Sequence, residues 1–274
     1  MKRFGLIGHP ITHSLSPALF KAAYDGKYPY DLIEEDEFEK AYERFLNEYD
    51  AINVTAPFKE LAIRKADVLS TECEAIGAAN ILIRQEDGTI MAANSDQLGV
   101  AQAVAEGTEK TGKTNAIALI VGCGGAAKAA AYAMCCCGYH TVILNRNYEK
   151  ALDFARLLGN NPMFDVCAMP LDRFEEWFRK AGVIVYTLPT AIPALEKLGK
   201  SAIRGSRLPL CRNKILLEAN YKDPAFTPAL IERLCSVNPR FRYISGKEWL
   251  LHQAVGAYRL FTGEEPDQEK MRKV

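Results

Sequence analysis

Residues 115–138 read NAIALIVGCGGAAKAAAYAMCCCG. The first part, up to Val121, is a run of branched aliphatic residues with no charge, the pattern of a strand buried on both faces. The last part is alanine-rich, a strong helix former, and stops at Gly138, a natural helix terminator. Between them stands Gly122-Cys123-Gly124-Gly125-Ala126-Ala127. Glycines there permit a tight turn and let backbone N–H groups come close to a pyrophosphate, and the helix N-terminus adds partial positive charge. A GxGxxG/A pattern is weak alone, but between a strand and a helix it predicts a dinucleotide site.

The next strand, HTVILNR, refines that expectation. Sites for NAD place an acid at the end of this strand, on the ribose 2′-hydroxyl. Here the strand ends Leu144-Asn145-Arg146, and Lys150 follows, four residues beyond Arg146 and on its helical face if the helix has begun by then. Two cations suit a 2′-phosphate, so NADP(H) is expected rather than NAD. The same pair would also serve as a solvated basic patch, and Glu149 lies nearby.

Outward from this unit, strand-like and helix-like runs alternate to both ends of the chain. Upstream stand KRFGLIG, a helix SPALFKAAYDG with Ser16 as N-cap and Pro17 at its first position, YDLIEE, FEKAYERFLNEY, AINVT and a helical FKELAIRKADVLS. ANILIRQ and TIMAAN flank Glu86-Asp87-Gly88, a hairpin signal. Downstream come VIVYTLP, KILLEANY, the helix PALIERLCSV, RFRYIS and a last helix, GKEWLLHQAVGAYRLFTG. Such alternation predicts an α/β protein with mainly parallel sheets covered by helices. The polar stretch TEKTGKTN reads as the approach to a second domain. The expected division is 1–100, completed by 247–274, and 101–246.

The chain has 274 residues, 49% hydrophobic and 25% charged, with 34 basic and 34 acidic residues. That is enough apolar material for about two domains and excludes wholesale disorder. The zero net charge gives no basic footprint, so no nucleic-acid partner is expected. No apolar run reaches the roughly 20 residues of a membrane span, and the N-terminus lacks the pattern of a signal peptide. The eight cysteines include no CxxC pair, and Cys135, Cys136 and Cys137 are consecutive, which argues against disulfides and metal alike. Reduced thiols, a cytoplasmic location, no metal and cysteines acting as small apolar fillers are expected.

The first third places polar residues where strands end. These are Ser14 and Ser16, Thr55 and Lys59 in NVTAPFK, Asn80 in GAANIL, and Asp96 in NSDQLG. Each alone reads as a cap, a turn or a surface side chain. Their recurrence at successive strand ends is what open α/β sheets use to bind ligands.

HPITHSLSP, NVTAPFK, GAANIL, NSDQLG, VGCGGAAKA, LNR and GKEWLLHQAV stand in the order seen in shikimate dehydrogenases, and over nearly its whole length the chain resembles that family. The resemblance implies two α/β domains with a cleft, an N-terminal substrate domain and a Rossmann-like NADP-binding domain, the last helix returning to the first domain. It implies reduction of 3-dehydroshikimate to shikimate in aromatic amino-acid biosynthesis. Ser14 and Ser16 would bind the substrate carboxylate. Thr55, Asn80 and Gln253, with Lys59 and Asp96, would bind the ring hydroxyls, and Lys59 and Asp96 would form the catalytic pair. Gly122, Gly124, Gly125 and Ala126 would hold the pyrophosphate. Asn145, Arg146 and Lys150 would hold the ribose phosphate, with Tyr221 and Gly246 near the nicotinamide. The chemistry suits these residue types, because a cationic donor stabilises the charge that develops on a carbonyl oxygen under hydride attack and then supplies the proton. His13 and His252 are not needed by that scheme. The partners implied are small molecules, with no membrane, in a monomer or homodimer.

Some positions depart from the family. Phe20-Lys21 stands for His-Asn, Ser95 for Thr, Gln97 for Gly, Tyr186-Thr187-Leu188-Pro189 for Asn-Ala-Thr-Pro, Glu218-Ala219-Asn220 for Asp-Met/Leu-Val, and Trp249 for Met. Most fall on the cofactor side. Two rivals follow: a quinate/shikimate dehydrogenase, and a non-catalytic sensor of NADP(H) or a metabolite.

Overall fold

The structure is a computed structural model and describes residues 2–112, 114–199 and 213–274. It separates into two compact units, Met1–Gly99 with Leu250–Val274, and Val100–Trp249.

The first unit holds β1 (Phe4–Gly8), α1 (Ser16–Ala23), β2 (Tyr30–Glu34), α2 (Phe38–Glu48), β3 (Ala51–Val54), α3 (Lys59–Ala62), β4 (Val68–Leu69), α4 (Thr71–Ile76), β5 (Ile81–Arg84) and β6 (Ile90–Ala93). Its sheet order is β2-β1-β3-β5-β6-β4. β1 runs parallel to β2 and β3, and β4 to β6, whereas β5 is antiparallel to both β3 and β6, so this sheet is mainly parallel with one antiparallel strand inserted. The hairpin at residues 85–89 forms as expected, with Gly88 at φ +87°.

The chain passes to the second unit inside α5 (Asp96–Thr111). There follow β7 (Ile117–Val121), α6 (Gly125–Cys136), β8 (His140–Asn145), α7 (Tyr148–Gly159), β9 (Val166–Pro170), α8 (Phe174–Lys180), β10 (Val183–Tyr186), α9 (Ala194–Lys197), β11 (Lys214–Glu218), α10 (Pro228–Val237) and β12 (Phe241–Ile244). The order β12-β11-β10-β7-β8-β9 is parallel throughout. β7 is buried from Ala118 to Val121 because apolar clusters cover both of its faces. The chain re-enters the first unit inside α11 (Gly246–Thr262) and ends in α12 (Gln268–Met271).

Several local expectations are corrected. Ser16 is the first residue of α1 and Leu15 the cap, because the Ser14 hydroxyl already accepts the Ser16 N–H at 3.2 Å. Residues 59–65 form a short α-turn and a 3₁₀ turn, not one long helix, and residues 68–69 pair with β6 as β4. Thr108–Thr111 belongs to α5, not to a loop. Of the cysteine triplet only Cys135 fills the core; Cys136 and Cys137 are exposed where α6 ends. Among the described residues no cysteine is in a disulfide. No described helix is long and apolar enough to cross a membrane.

Candidate active site

The first unit gathers its polar residues at one end of the sheet. Parallel pairing sets the end of β1 beside the end of β3, through Ile7 and Val54. Antiparallel pairing sets the start of β5 beside the end of β3, through Asn53 and Ile81, and the end of β6 beside the start of β5, through Ala93 and Ile81. The loops bearing Ser14, Thr55, Lys59, Asn80 and Asp96 therefore leave the sheet on the same side. Gly8 allows the closest approach, because a Cβ there would meet Thr55 Cγ2 at 2.4 Å and Ile11 Cγ2 at 2.8 Å.

Lys59 opens α3 and Asp96 opens α5. Lys59 Nζ stands 2.5 Å from Asp96 Oδ2, and the two side chains are only 14% and 8% exposed. Backbone bonds fix both partners. The Ala79 N–H donates to the Lys59 carbonyl at 2.9 Å, and the Asp96 N–H donates to Asn94 Oδ1 at 3.0 Å. Beside them, Asn80 Nδ2 donates to Ser95 Oγ and to Gln253 Oε1, both at 3.1 Å, and Asn80 Oδ1 accepts the Ser95 N–H at 2.8 Å. Ser95 thus supplies the hydroxyl expected of the threonine it replaces. Ser14 Oγ lies 3.1 Å from Ser16 Oγ. Thr55 is held by its N–H on the Ile7 carbonyl at 2.9 Å.

Two residues here escaped sequence reading. Tyr30, at the start of β2, donates to Asn53 Oδ1 at 2.8 Å, and Tyr258, on α11, donates to the Ser16 carbonyl at 3.0 Å. Burial pushes the Tyr30 phenol far above its ordinary range, so it remains a donor. Phe20 packs against both rings, with centroids 4.7 Å away in each case, which makes it a core residue here. Nothing in the sequence separates these aromatics from ordinary core positions. Of the two histidines set aside above, His13 is exposed and His252 is buried.

In the second unit, Gly122 takes φ +120°, and a Cβ there would meet Thr187 Oγ1 at 2.4 Å. Gly124 caps α6 with no side-chain acceptor on the first turn, and nothing lies within 4 Å of where its Cβ would be. Uncapped N–H groups opening onto free space, at the start of a 12-residue helix formed by Gly125 and Ala126 onward, fit a pyrophosphate. Asn145 ends β8 and donates to the Asn147 carbonyl at 3.0 Å. Arg146 is exposed and forms no hydrogen bond or ion pair among the described residues. α7 begins only at Tyr148, with Asn147 as its cap, so Arg146 and Lys150 do not share a helical face as expected.

The loop after β11 carries Tyr221, which is half-buried. The fully buried Glu218 carboxylate holds this loop. It accepts from the Ala225 N–H at 2.5 Å, the Phe226 N–H at 3.3 Å and the Tyr243 hydroxyl at 2.9 Å. Burial pushes the Glu218 pKa up, and the three donors oppose that shift. Gly246 touches the same loop, since a Cβ there would meet the Ala219 carbonyl oxygen at 2.2 Å. The departures Tyr186 and Trp249 are buried in the apolar clusters of this unit.

Family models match two stretches, a shikimate dehydrogenase substrate-binding domain over residues 6–82 and a shikimate 5′-dehydrogenase C-terminal domain over 250–274. The NADP(+) shikimate dehydrogenase of Pyrococcus abyssi is 31% identical over 280 residues, covering 100% of this chain and 97% of that one. The chain belongs to the shikimate dehydrogenase family. Other relatives of this family are larger: the chain spans 17% of the pentafunctional AROM polypeptide of Eremothecium gossypii, to which it is 31% identical. Among solved structures, the shikimate 5-dehydrogenase of Thermus thermophilus, in complex with NADP(H) and shikimate, superposes with a TM-score of 0.74 at 27% identity. That match covers 100% of this chain and 98% of the other, so the two-unit α/β architecture with a Rossmann-like half is that of the shikimate dehydrogenase family.

Proposed function

We propose that this chain catalyses the NADPH-dependent, reversible reduction of 3-dehydroshikimate to shikimate, a step of aromatic amino-acid biosynthesis. The observation that carries the reading is the Lys59–Asp96 pair, 2.5 Å apart and mostly buried, at the end of the sheet where the other polar loops meet. The first unit binds the substrate and the second binds the dinucleotide.

In the reductive direction NADPH supplies the hydride to the carbonyl carbon. Lys59 donates a hydrogen bond to the carbonyl oxygen, stabilises the charge that develops there and delivers the proton. Asp96 orients the ammonium group. Asn80, Gln253 and Thr55 engage the ring hydroxyls, and Ser14 and Ser16 donate to the carboxylate. The α6 N-terminus with Gly124 receives the pyrophosphate, while Arg146, with Asn145 and Lys150, receives the ribose 2′-phosphate. Tyr221 and Gly246 stand at the nicotinamide. The lack of a CxxC pair and the consecutive Cys135, Cys136 and Cys137 support a cytoplasmic location.

Following reduced-nicotinamide absorbance with shikimate and quinate, each crossed with NADP and NAD, tests this. Shikimate with NADP is expected to give the highest kcat/KM. Quinate turnover equal to shikimate turnover would favour the quinate branch, and tight binding without reduction would favour a sensor.

A further inference from the structure

Beside the edge strand of the second sheet, a cavity of about 270 Å³ runs between α5, β12 and the first turn of α11. Ala103, Gly107 and Ile244 line its apolar part. α5 presses close here, because a Cβ on Gly107 would meet Ile244 Cδ1 at 2.8 Å. Its far end lies where β11 begins, since a Cβ on Gly112 would meet Asn213 Nδ2 at 3.1 Å, so α5 runs antiparallel to β12.

This direction sorts the charged residues of the cavity. Arg242, early on β12, and Lys110, late on α5, fall toward one end. Glu106, one turn back on α5, and Glu248, in the first turn of α11, fall toward the other. Carboxylate oxygens of Glu106 and Glu248 lie within 4.8 Å of each other.

At the cationic end Lys110 is exposed and Arg242 is half-buried. Neither the Arg242 nor the Lys110 side chain forms a hydrogen bond or ion pair with any described residue. Arg242 Nε is shut off from solvent with no acceptor among the described residues. A buried donor atom left unpaired is costly, and each such atom in a native structure calls for an explanation. Glu106 and Lys110 have the favourable i, i+4 order for pairing, yet Lys110 does not make that pair.

A simple anion would suit one end and be repelled by the carboxylates at the other, and a simple cation would meet the reverse. A small zwitterion satisfies both. We propose that this cavity binds a free α-amino acid, with its carboxylate on Arg242 and Lys110, its ammonium on Glu106 and Glu248, and its side chain over Ala103 and Ile244. The guanidinium fork matches a carboxylate bidentately. Glu106 and Lys110 stand about 6 Å apart along the helix axis, on the scale of an amino-acid head group with a hydrogen bond on either side. Both glutamates engage other groups as well, and the several lone pairs of a carboxylate leave room for an ammonium.

Isothermal titration of the full chain with the protein L-amino acids tests the site, with inorganic phosphate, acetate and methylammonium as single-charge probes. At least one amino acid is expected to bind saturably, and its N-acetyl and amide derivatives are expected to fail. Arg242→Gln and Glu248→Gln are each expected to weaken binding about tenfold or more, while Lys59→Ala leaves it unchanged. If Arg242→Gln does not fold by circular dichroism, Arg242→Lys keeps the charge, removes the fork and is expected to weaken binding as well. Binding of phosphate or acetate as tight as that of any amino acid, full affinity in a folded Arg242 variant, or no saturable heat would each overturn the proposal.

Discussion

The polar ends of the two sheets are built in opposite ways. In the first unit the candidate side chains bind one another: Lys59 to Asp96, Asn80 to Ser95 and Gln253, Ser14 to Ser16. In the second unit the turn after β7 has free space at Gly124, no side-chain cap on α6, and an Arg146 without a described partner. Groups that must move a proton benefit from fixed geometry before substrate arrives. Backbone donors that hold a phosphate need only be left open, because the ligand supplies the missing acceptors.

The contrast is tested first at its most constrained point. Lys59→Ala should lower turnover by roughly 10²–10⁴-fold, the scale of acid–base catalysis, with the circular dichroism of the fold retained. Near-normal turnover would remove Lys59 from the chemistry. In the open site, Arg146→Ala should raise the KM for NADP by about 10–100-fold, the worth of hydrogen bonds to a charged phosphate, and leave the KM for NAD nearly unchanged. Equal changes for both cofactors would place the 2′-phosphate elsewhere.

Two glycines sharpen the comparison further. Gly124→Ala introduces a methyl group into open space at an ordinary φ of −91°, so thermal stability should hold while the KM for NADP rises. Gly246→Ala drives a Cβ against two backbone carbonyls and should lose at least about 1–3 kcal/mol of stability, the range for overpacking. Melting curves for the two variants that coincide would contradict this difference.

The smallest effect concerns pH. The Glu218 carboxyl has a raised folded-state pKa, so the native state holds its proton more tightly than the unfolded chain. Its ionisation therefore costs stability. The cost is absent below the unfolded carboxyl pKa and complete once pH exceeds the raised value. Glu218→Gln should flatten the fall in stability across that window. An unchanged pH slope in urea titrations would show that another group sets it.

Much of this was written in local sequence. The Gly122–Ala127 turn between a β-branched run and an alanine-rich run defines the Rossmann-like half, since strand burial, glycine freedom and helix propensity all act within a few residues. The hairpin through Gly88 is equally local. The polar residues of the first unit were visible as a set because each follows or precedes a strand.

Tertiary structure alone decided what those residues do to one another. The antiparallel insertion of β5 makes the first sheet mixed, and it is long-range pairing that brings Asn80 beside Ser95 and lets α11 deliver Gln253 from 173 residues away. Tyr30 and Tyr258 brace the site from positions that read as ordinary aromatic core, and Arg242 Nε is shut off from solvent without a described acceptor. A propensity or a turn depends on neighbours along the chain. A hydrogen-bond partner, or the lack of one, depends on which distant strands and helices are brought side by side.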